Sequence, residues 1–262
     1  MLKIFLPIIL STVMTTTIQA RPVDPLALGK CMSLPLPDRV ANLEALNVDC
    51  FYTWHYRYVG PETEAQFIPM VWGMSQGEAV LADPDLLDDS EIVLLFNECD
   101  APNESQCIAT PQEAAEMTLR LQAAFPDRLW GSPAVHNWGV DQQWLDKYMQ
   151  ACDGCKIDFI AVHYYSWSPC DSKDFRNYVR SFKRFDRPIW LTEYGCLSPN
   201  VAERVSYYQD WYDIASRDRD IIAVFPWTEG LPVDWPYWTR WGIFVNNDNT
   251  LTELGEWYAA KE

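Results

Sequence analysis

Two glutamates stand where an apolar run stops. In 94–98 the residues Leu94, Leu95, Phe96 and Asn97 end on Glu98, and in 189–195 the residues Ile189, Trp190, Leu191 and Thr192 end on Glu193, before Tyr194 and Gly195. Runs of this kind read as strands covered on both faces. A carboxylate at the rim of such a core is costly unless it is paired or used. Two carboxyls about 5 to 5.5 Å apart suit a double displacement at a sugar carbon, one as acid/base and one as nucleophile. Glu98 is then the acid/base. It needs a carboxyl raised by partial burial and by the charge of Glu193. Glu193 is then the nucleophile, kept ionised by hydrogen bonds from the hydroxyl of Tyr164 or Tyr165. An arginine could hold either glutamate for structure alone, but two in matching positions favour catalysis.

The other strand ends carry groups of a consistent kind. They supply Trp54, His55 and Tyr56; Trp72; Asn97; His136, Asn137 and Trp138; His163, Tyr164 and Tyr165; and Trp227 with Glu229. Indole and phenol rings stack on the apolar faces of sugars, and sugar hydroxyls require fixed polar partners. Trp54, His55, Asn97, His136, Trp138, His163, Tyr165 and Trp227 are therefore the expected substrate-binding residues, with Asn97 on the sugar 2-hydroxyl. Most of the 13 tryptophans are expected to serve the core, as aromatics do. Trp54, Trp138 and Trp227 are the best candidates for the groove. Three histidines could in principle hold a zinc ion. No two share a short ligand spacing, and their aromatic neighbours suit sugar better, so neither a metal nor another cofactor is expected.

The elements that must position these groups alternate regularly. Strands are expected over 29–33, 49–54, 66–72, 92–97, 129–135, 159–164, 189–193 and 221–227, and helices over 37–46, 111–125, 142–151, 173–185, 201–216 and 253–260. Thr110, Pro111 and Glu113 mark one helix start, with a cap, a first-turn proline and a capping-box acid. Ala114, Ala115, Met117, Thr118 and Leu121 give the stripe that packs on strands. Eight strands alternating with helices imply an α/β fold, a (β/α)8 TIM barrel in one domain, with its chemistry at the strand carboxyl ends. A doubly wound sheet is the competitor, but no Gly-rich fingerprint follows a strand.

Composition narrows the setting. Residues 1–20 combine Lys3, the apolar stretch 4–10 and Ala20 before Arg21, and read as a signal peptide, which leaves 21–262 as the catalytic domain. The chain is expected to be secreted, extracellular or associated with a cell wall. All 8 cysteines lie beyond that leader, and an even count in an exported chain favours four disulfides. Cys152 and Cys155 form a C-x-x-C pair whose structural reading outweighs a redox or zinc one. A formal net charge of −17 argues against nucleic acid and anionic membrane as partners. A neutral polysaccharide and a monomeric enzyme fit it. Solubility of an exported protein accounts for the acidity itself.

Taken together, the blocks 51–54, 67–73, 95–98, 131–135, 159–165 and 188–195 resemble glycoside hydrolase family 128, the fungal-type β-1,3-glucanases related to the yeast alkali-sensitive linkage protein. The resemblance spans about 30–227. It implies a retaining β-1,3-glucanase on a (β/α)8 barrel, with the acid/base at the fourth strand (Glu98) and the nucleophile at the seventh (Glu193). One departure is visible: similar sequences follow the first glutamate with Pro-Asp, where this chain has Cys99-Asp100. Cys99 is expected to pair with Cys107 and tie down the intervening loop. Asn103-Glu104-Ser105 in that loop is the one N-x-S/T acceptor sequon. Two other functions remain open: a wall-associated β-glucan-binding protein with weak or no catalysis, and a β-1,4-glucanase or mannanase on the same barrel.

Overall fold

The structure, a computed structural model, describes residues 26, 28–101, 106–136, 143–230 and 243–261. Nine strands run through it: β1 (Gly29–Ser33), β2 (Cys50–Tyr52), β3 (Gln66–Phe67), β4 (Met70–Val71), β5 (Ile92–Asn97), β6 (Leu129–His136), β7 (Ile160–Trp167), β8 (Ile189–Leu197) and β9 (Ile221–Pro226). They form one sheet in the order β3-β2-β1-β9-β8-β7-β6-β5-β4, and each of these neighbouring pairs is parallel.

All eight expected strands are present, and the ninth arises because the third is split. β3 pairs with β2 and β4 with β5, while Ile68 and Pro69 lie between them. Proline has no amide hydrogen to give a ladder. The sheet thus curls until its two edges are consecutive pieces of one segment, and the hydrogen-bonded ring stays open there. β5 and β8 are buried at every position, as parallel strands covered on both faces must be. β7 and β8 run further than expected and stay in register to Trp167 opposite Leu197.

Helices cover the outside: α1 (Ala41–Ala45), α2 (Met74–Ala82), α3 (Pro111–Ala124), α4 (Trp144–Ala151), α5 (Ser172–Ser181), α6 (Val201–Ala215) and α7 (Glu253–Ala259). α3 starts on the expected capping box between Thr110 and Glu113 and buries the expected stripe. The single helix expected over 173–185 instead breaks after Ser181 into a 3-10 turn, Phe182–Phe185. α2 was not foreseen. Its interior Gly77 disfavours a helix by roughly 1 kcal/mol, and its reason is tertiary, since a Cβ there would lie 2.7 Å from the Met117 sulfur on α3.

Apolar packing occupies two layers. Inside the sheet, Tyr52, Phe159, Trp190 and Phe225 join Ile68, Met70, Ile92 and Leu94, and Phe159 stacks on Trp190 with ring centroids 4.0 Å apart. Gly131 makes that stack possible, because any Cβ on it would meet the Phe159 ring at 2.6 Å. The second layer lies between sheet and helices and takes in Trp130 and Trp211. With Trp144 in the same layer and Trp190 inside the sheet, four tryptophans among the described residues lie in the core. All eight cysteines pair, as Cys31–Cys50, Cys99–Cys107, Cys152–Cys155 and Cys170–Cys196. The C-x-x-C pair is thus a disulfide, and Cys99 has the partner expected of it. Among the described residues no helix is long and apolar enough to cross a membrane.

Candidate active site

β5 delivers Glu98 one residue past its end, at φ 51. This left-handed conformation costs a side-chain-bearing residue on the order of 1 kcal/mol. It is held by the Glu98 N–H donating to the Ala134 carbonyl at 3.0 Å. Trp54, two residues past β2, has φ 56. β8 presents Glu193 from within the strand, and β7 presents His163 and Tyr165. These two share a face because side chains alternate along a strand.

Glu98, Glu193 and His163 are all buried. One carboxylate oxygen of each glutamate and a ring nitrogen of His163 lie within 4.8 Å of one another. His163 sits between the two acids, its Nδ1 2.8 Å from Glu98 Oε1 and its Nε2 3.7 Å from Glu193 Oε1. His136 Nε2 stands 3.8 Å from Glu98 Oε1. Glu193 accepts from Trp54 Nε1 at 2.7 Å and from the Tyr165 hydroxyl onto Oε2, and the Tyr52 hydroxyl shares its one proton between Glu193 Oε1 at 3.1 Å and the Thr192 carbonyl at 2.9 Å. Both oxygens of Glu193 are therefore engaged by organic donors. The other metal-like cluster, Cys170, Cys196 and Glu203, has its sulfurs in a disulfide.

The electrostatics correct one expectation. Burial raises both carboxyls, but the hydrogen bond and charge of His163, with the charge of His136, outweigh it at Glu98 and leave that group below its ordinary value. Glu193 is raised, chiefly by burial and also by the charge of Glu98, against the pull of His163, Tyr165 and Trp54. His163 is raised by the facing acids despite burial.

The remaining candidates divide clearly. Trp54 and Trp227 meet edge to face at 5.6 Å, and Tyr165 meets Trp227 at 5.8 Å, forming an aromatic corner beside Glu193. Asn97 donates to Gln106 Oε1 at 2.8 Å, and its own Oδ1 is buried without a partner. His55 is exposed; its ring accepts from the Arg57 N–H at 3.3 Å and packs on Tyr56, apart from the carboxylates. Tyr164 faces outward and stacks on Phe175 of α5, so of the two tyrosines considered for Glu193 only Tyr165 reaches it. Glu229 is a buried partner of Arg39 and Asn42, outside the catalytic cluster. Trp138 and Asn103 lie outside the described residues.

Three neighbours escaped the sequence. Tyr52 could have been found from its inward register two residues before Trp54. Gln106 left no signal. Asp100 left one, the acid in the Cys99-Asp100 departure. Its carboxylate accepts the His136 N–H at 3.1 and 3.2 Å, tying the ends of β5 and β6 together.

Burial pushes Asp100 up to about 7, against that hydrogen bond and aided by the charge of Glu98. A carboxyl raised from its unfolded value near 3.8 stabilises the fold fully below that value, and the contribution is lost as pH rises to about 7. Unfolding free energy from urea titrations is therefore expected to fall between pH 4 and 7, and Asp100→Asn, which keeps the acceptor but cannot ionise, is expected to flatten that slope. An unchanged slope would contradict the assignment.

Residues 35–258 match the family model described as "Glycosyl hydrolase catalytic core". A segment of 66 residues, 25% of this chain and 12% of the relative, is 47% identical to Alkali-sensitive linkage protein 1 of Schizosaccharomyces pombe. Among solved structures, an endo-β-1,3-glucanase of GH128 subgroup II from Sorangium cellulosum superposes with a TM-score of 0.75 at 24% identity, covering 89% of this chain and 99% of its own. A GH128 subgroup I endo-β-1,3-glucanase from Amycolatopsis mediterranei, in complex with laminarihexaose, gives 0.73 at 23%, with 89% and 98% covered. A subgroup III curdlan-specific exo-β-1,3-glucanase from Blastomyces gilchristii, in complex with glucose, gives 0.71 at 22%, with 91% and 100% covered. At these identities the structural likeness speaks for the fold.

Proposed function

The chain belongs to the glycosyl hydrolase catalytic core family and is a glycoside hydrolase, and from that premise we propose that it is a secreted retaining enzyme that cleaves β-1,3-glucan internally. The observation that supports the mechanism is the approach of the two buried carboxylates, with one oxygen of each within 4.8 Å, in keeping with the close pair of a double displacement rather than the wider pair of an inverting enzyme. The choice of β-1,3-glucan is supported by the GH128 glucanases that share this fold.

Glu193 attacks the anomeric carbon while Glu98 protonates the departing oxygen; water then cleaves the glycosyl ester with Glu98 as base. The donors on Glu193 pull against burial toward its ionised form and aim the carboxylate. Glu98 obtains its proton from His163. In the free protein the hydrogen bond and charge of His163 favour the ionised form of Glu98, and a sugar that fills the cleft covers the little surface of Glu98 still exposed. The neutral pair, with the proton moved from Nδ1 to Oε1, is then the better-suited form. Asn97 offers its orphaned acceptor to a sugar hydroxyl, since such a group left unpaired costs about 1–3 kcal/mol. Residues 1–20 act as the export signal, in keeping with four disulfides, and an open (β/α)8 barrel carries the site.

The polysaccharide specificity is tested by reducing-sugar release from linear β-1,3-glucan, β-1,4-glucan and β-mannan. Activity confined to the first is expected. Activity on another polymer alone would replace the substrate, and a folded protein that binds β-1,3-glucan without cleaving it would be the glucan-binding wall protein instead.

A further inference from the structure

Cys107 is fastened to both neighbours of Glu98. Its N–H donates to the Asn97 carbonyl at 3.0 Å, and its sulfur is bonded to Cys99. One buried residue thus holds the chain on either side of the acid, and Gln106, joined to it, is brought up against Asn97. The Gln106 side-chain carbonyl accepts from Asn97 Nδ2 at 2.8 Å. The Asn97 N–H donates to the Trp72 carbonyl at 2.7 Å, so Asn97 is fixed through main chain and side chain alike.

A side-chain amide has a donating end and an accepting end, and a neighbour that presents a carbonyl selects the donating one. Gln106 therefore takes the NH2 of Asn97 and leaves Oδ1 turned away from it. That Oδ1 is buried without a partner, which is rare in a folded protein and costs free energy until a donor meets it. Asn97 is buried at the end of β5, and the next residue in the chain is Glu98. A donor supplied by a sugar held at Glu98 would satisfy it.

We propose that Gln106 is a positioning residue that turns the carbonyl end of Asn97 toward the 2-hydroxyl of the sugar whose bond is broken. It touches no substrate atom and acts through Asn97 alone. The cysteine that stands after Glu98 in place of the usual proline gains a role in this way, because the bridge it forms with Cys107 holds Gln106 at Asn97. This inference rests on the β-glucanase reading above and says how that site is set to recognise the reacting sugar.

The test uses an aryl glycoside of a β-1,3-linked trisaccharide and its analogue lacking the 2-hydroxyl on the sugar at the aryl bond, with kcat/KM reporting the step in which that bond breaks. Gln106→Met keeps the length of the side chain and removes the acceptor. It is expected to lose about tenfold on the parent glycoside, the scale of one hydrogen bond, and little on the analogue. Gln106→Glu still accepts from Asn97 and is expected to keep the wild-type ratio between the two substrates. In an Asn97→Ala background, Gln106→Met is expected to have little further effect. Equal losses on both substrates, a wild type that does not discriminate between them, or a Gln106→Met loss that persists in the Asn97→Ala background would overturn the positioning role while leaving the glucanase reading intact. A wild-type protein inert on both glycosides and on β-1,3-glucan would overturn that reading and the inference with it.

Discussion

Glu193→Gln is expected to lose β-1,3-glucan hydrolysis by about 10⁴-fold or more, on the order of what removal of a catalytic nucleophile costs, while still binding oligosaccharide. The amide keeps the size of the side chain; its one carbonyl oxygen can still accept from Trp54 and its NH2 can donate to the Tyr165 hydroxyl oxygen, so the aromatic corner stays in place. It cannot form the glycosyl ester. Initial rates and equilibrium binding on one preparation separate the two effects. Loss of binding equal to the loss of turnover would mean that Glu193 shapes the site rather than reacts.

Glu98→Gln carries the second large effect. With sugar leaving groups the rate is expected to fall about 10²- to 10⁴-fold, the usual contribution of a general acid. With an activated aryl leaving group the first step is expected to be nearly spared, because little protonation is required. Hydrolysis of the intermediate then becomes slow for lack of a base, and azide is expected to restore turnover with a β-glycosyl azide as product. This variant also reports on the coupling inside the site. Glu193 acts ionised and is held up partly by the charge of Glu98, so activity is lost as pH falls through its pKa. Removing that charge is expected to move the acidic limb of the aryl-glycoside profile to lower pH. Equal losses on both substrate types, or an unmoved limb, would contradict the roles assigned.

Those roles do not follow from the free-state proton affinities alone, which leave Glu98 low and Glu193 high. They follow from the partners. The indole N–H of Trp54 can only donate and so favours the Glu193 anion, with the Tyr165 hydroxyl beside it, whereas Glu98 faces a histidine that can pass it a proton. The sequence shows both acids, because a strand that is apolar on both faces makes a terminal carboxylate conspicuous. It does not show His163 between them. Three histidines at three strand ends are equivalent until register is known, and the structure sends His163 to both acids, His136 to one and His55 to solvent.

The same contrast runs through the fold. Strand positions were legible because parallel strands buried on both faces are unbroken apolar runs. The break at Pro69 was not drawn from the sequence, although a proline in a central strand is its physical cause. α2 was hidden by a glycine whose purpose, the approach of Met117, exists only in three dimensions. Tyr52 stayed unassigned because its role depends on a partner more than a hundred residues away. Asp100 was noticed as part of a motif departure, but its bridge to the end of β6 depends on two strands being neighbours.

The most direct test is to trap the intermediate. A 2-deoxy-2-fluoro β-1,3-linked disaccharide with an activated leaving group should slow the second step more than the first, and the protein is expected to gain the mass of the fluorinated disaccharide without its leaving group. Peptide mapping should place that mass on Glu193. An adduct on Glu98 would reverse the roles of the two acids, and turnover with inversion at the anomeric carbon and no adduct would contradict double displacement altogether.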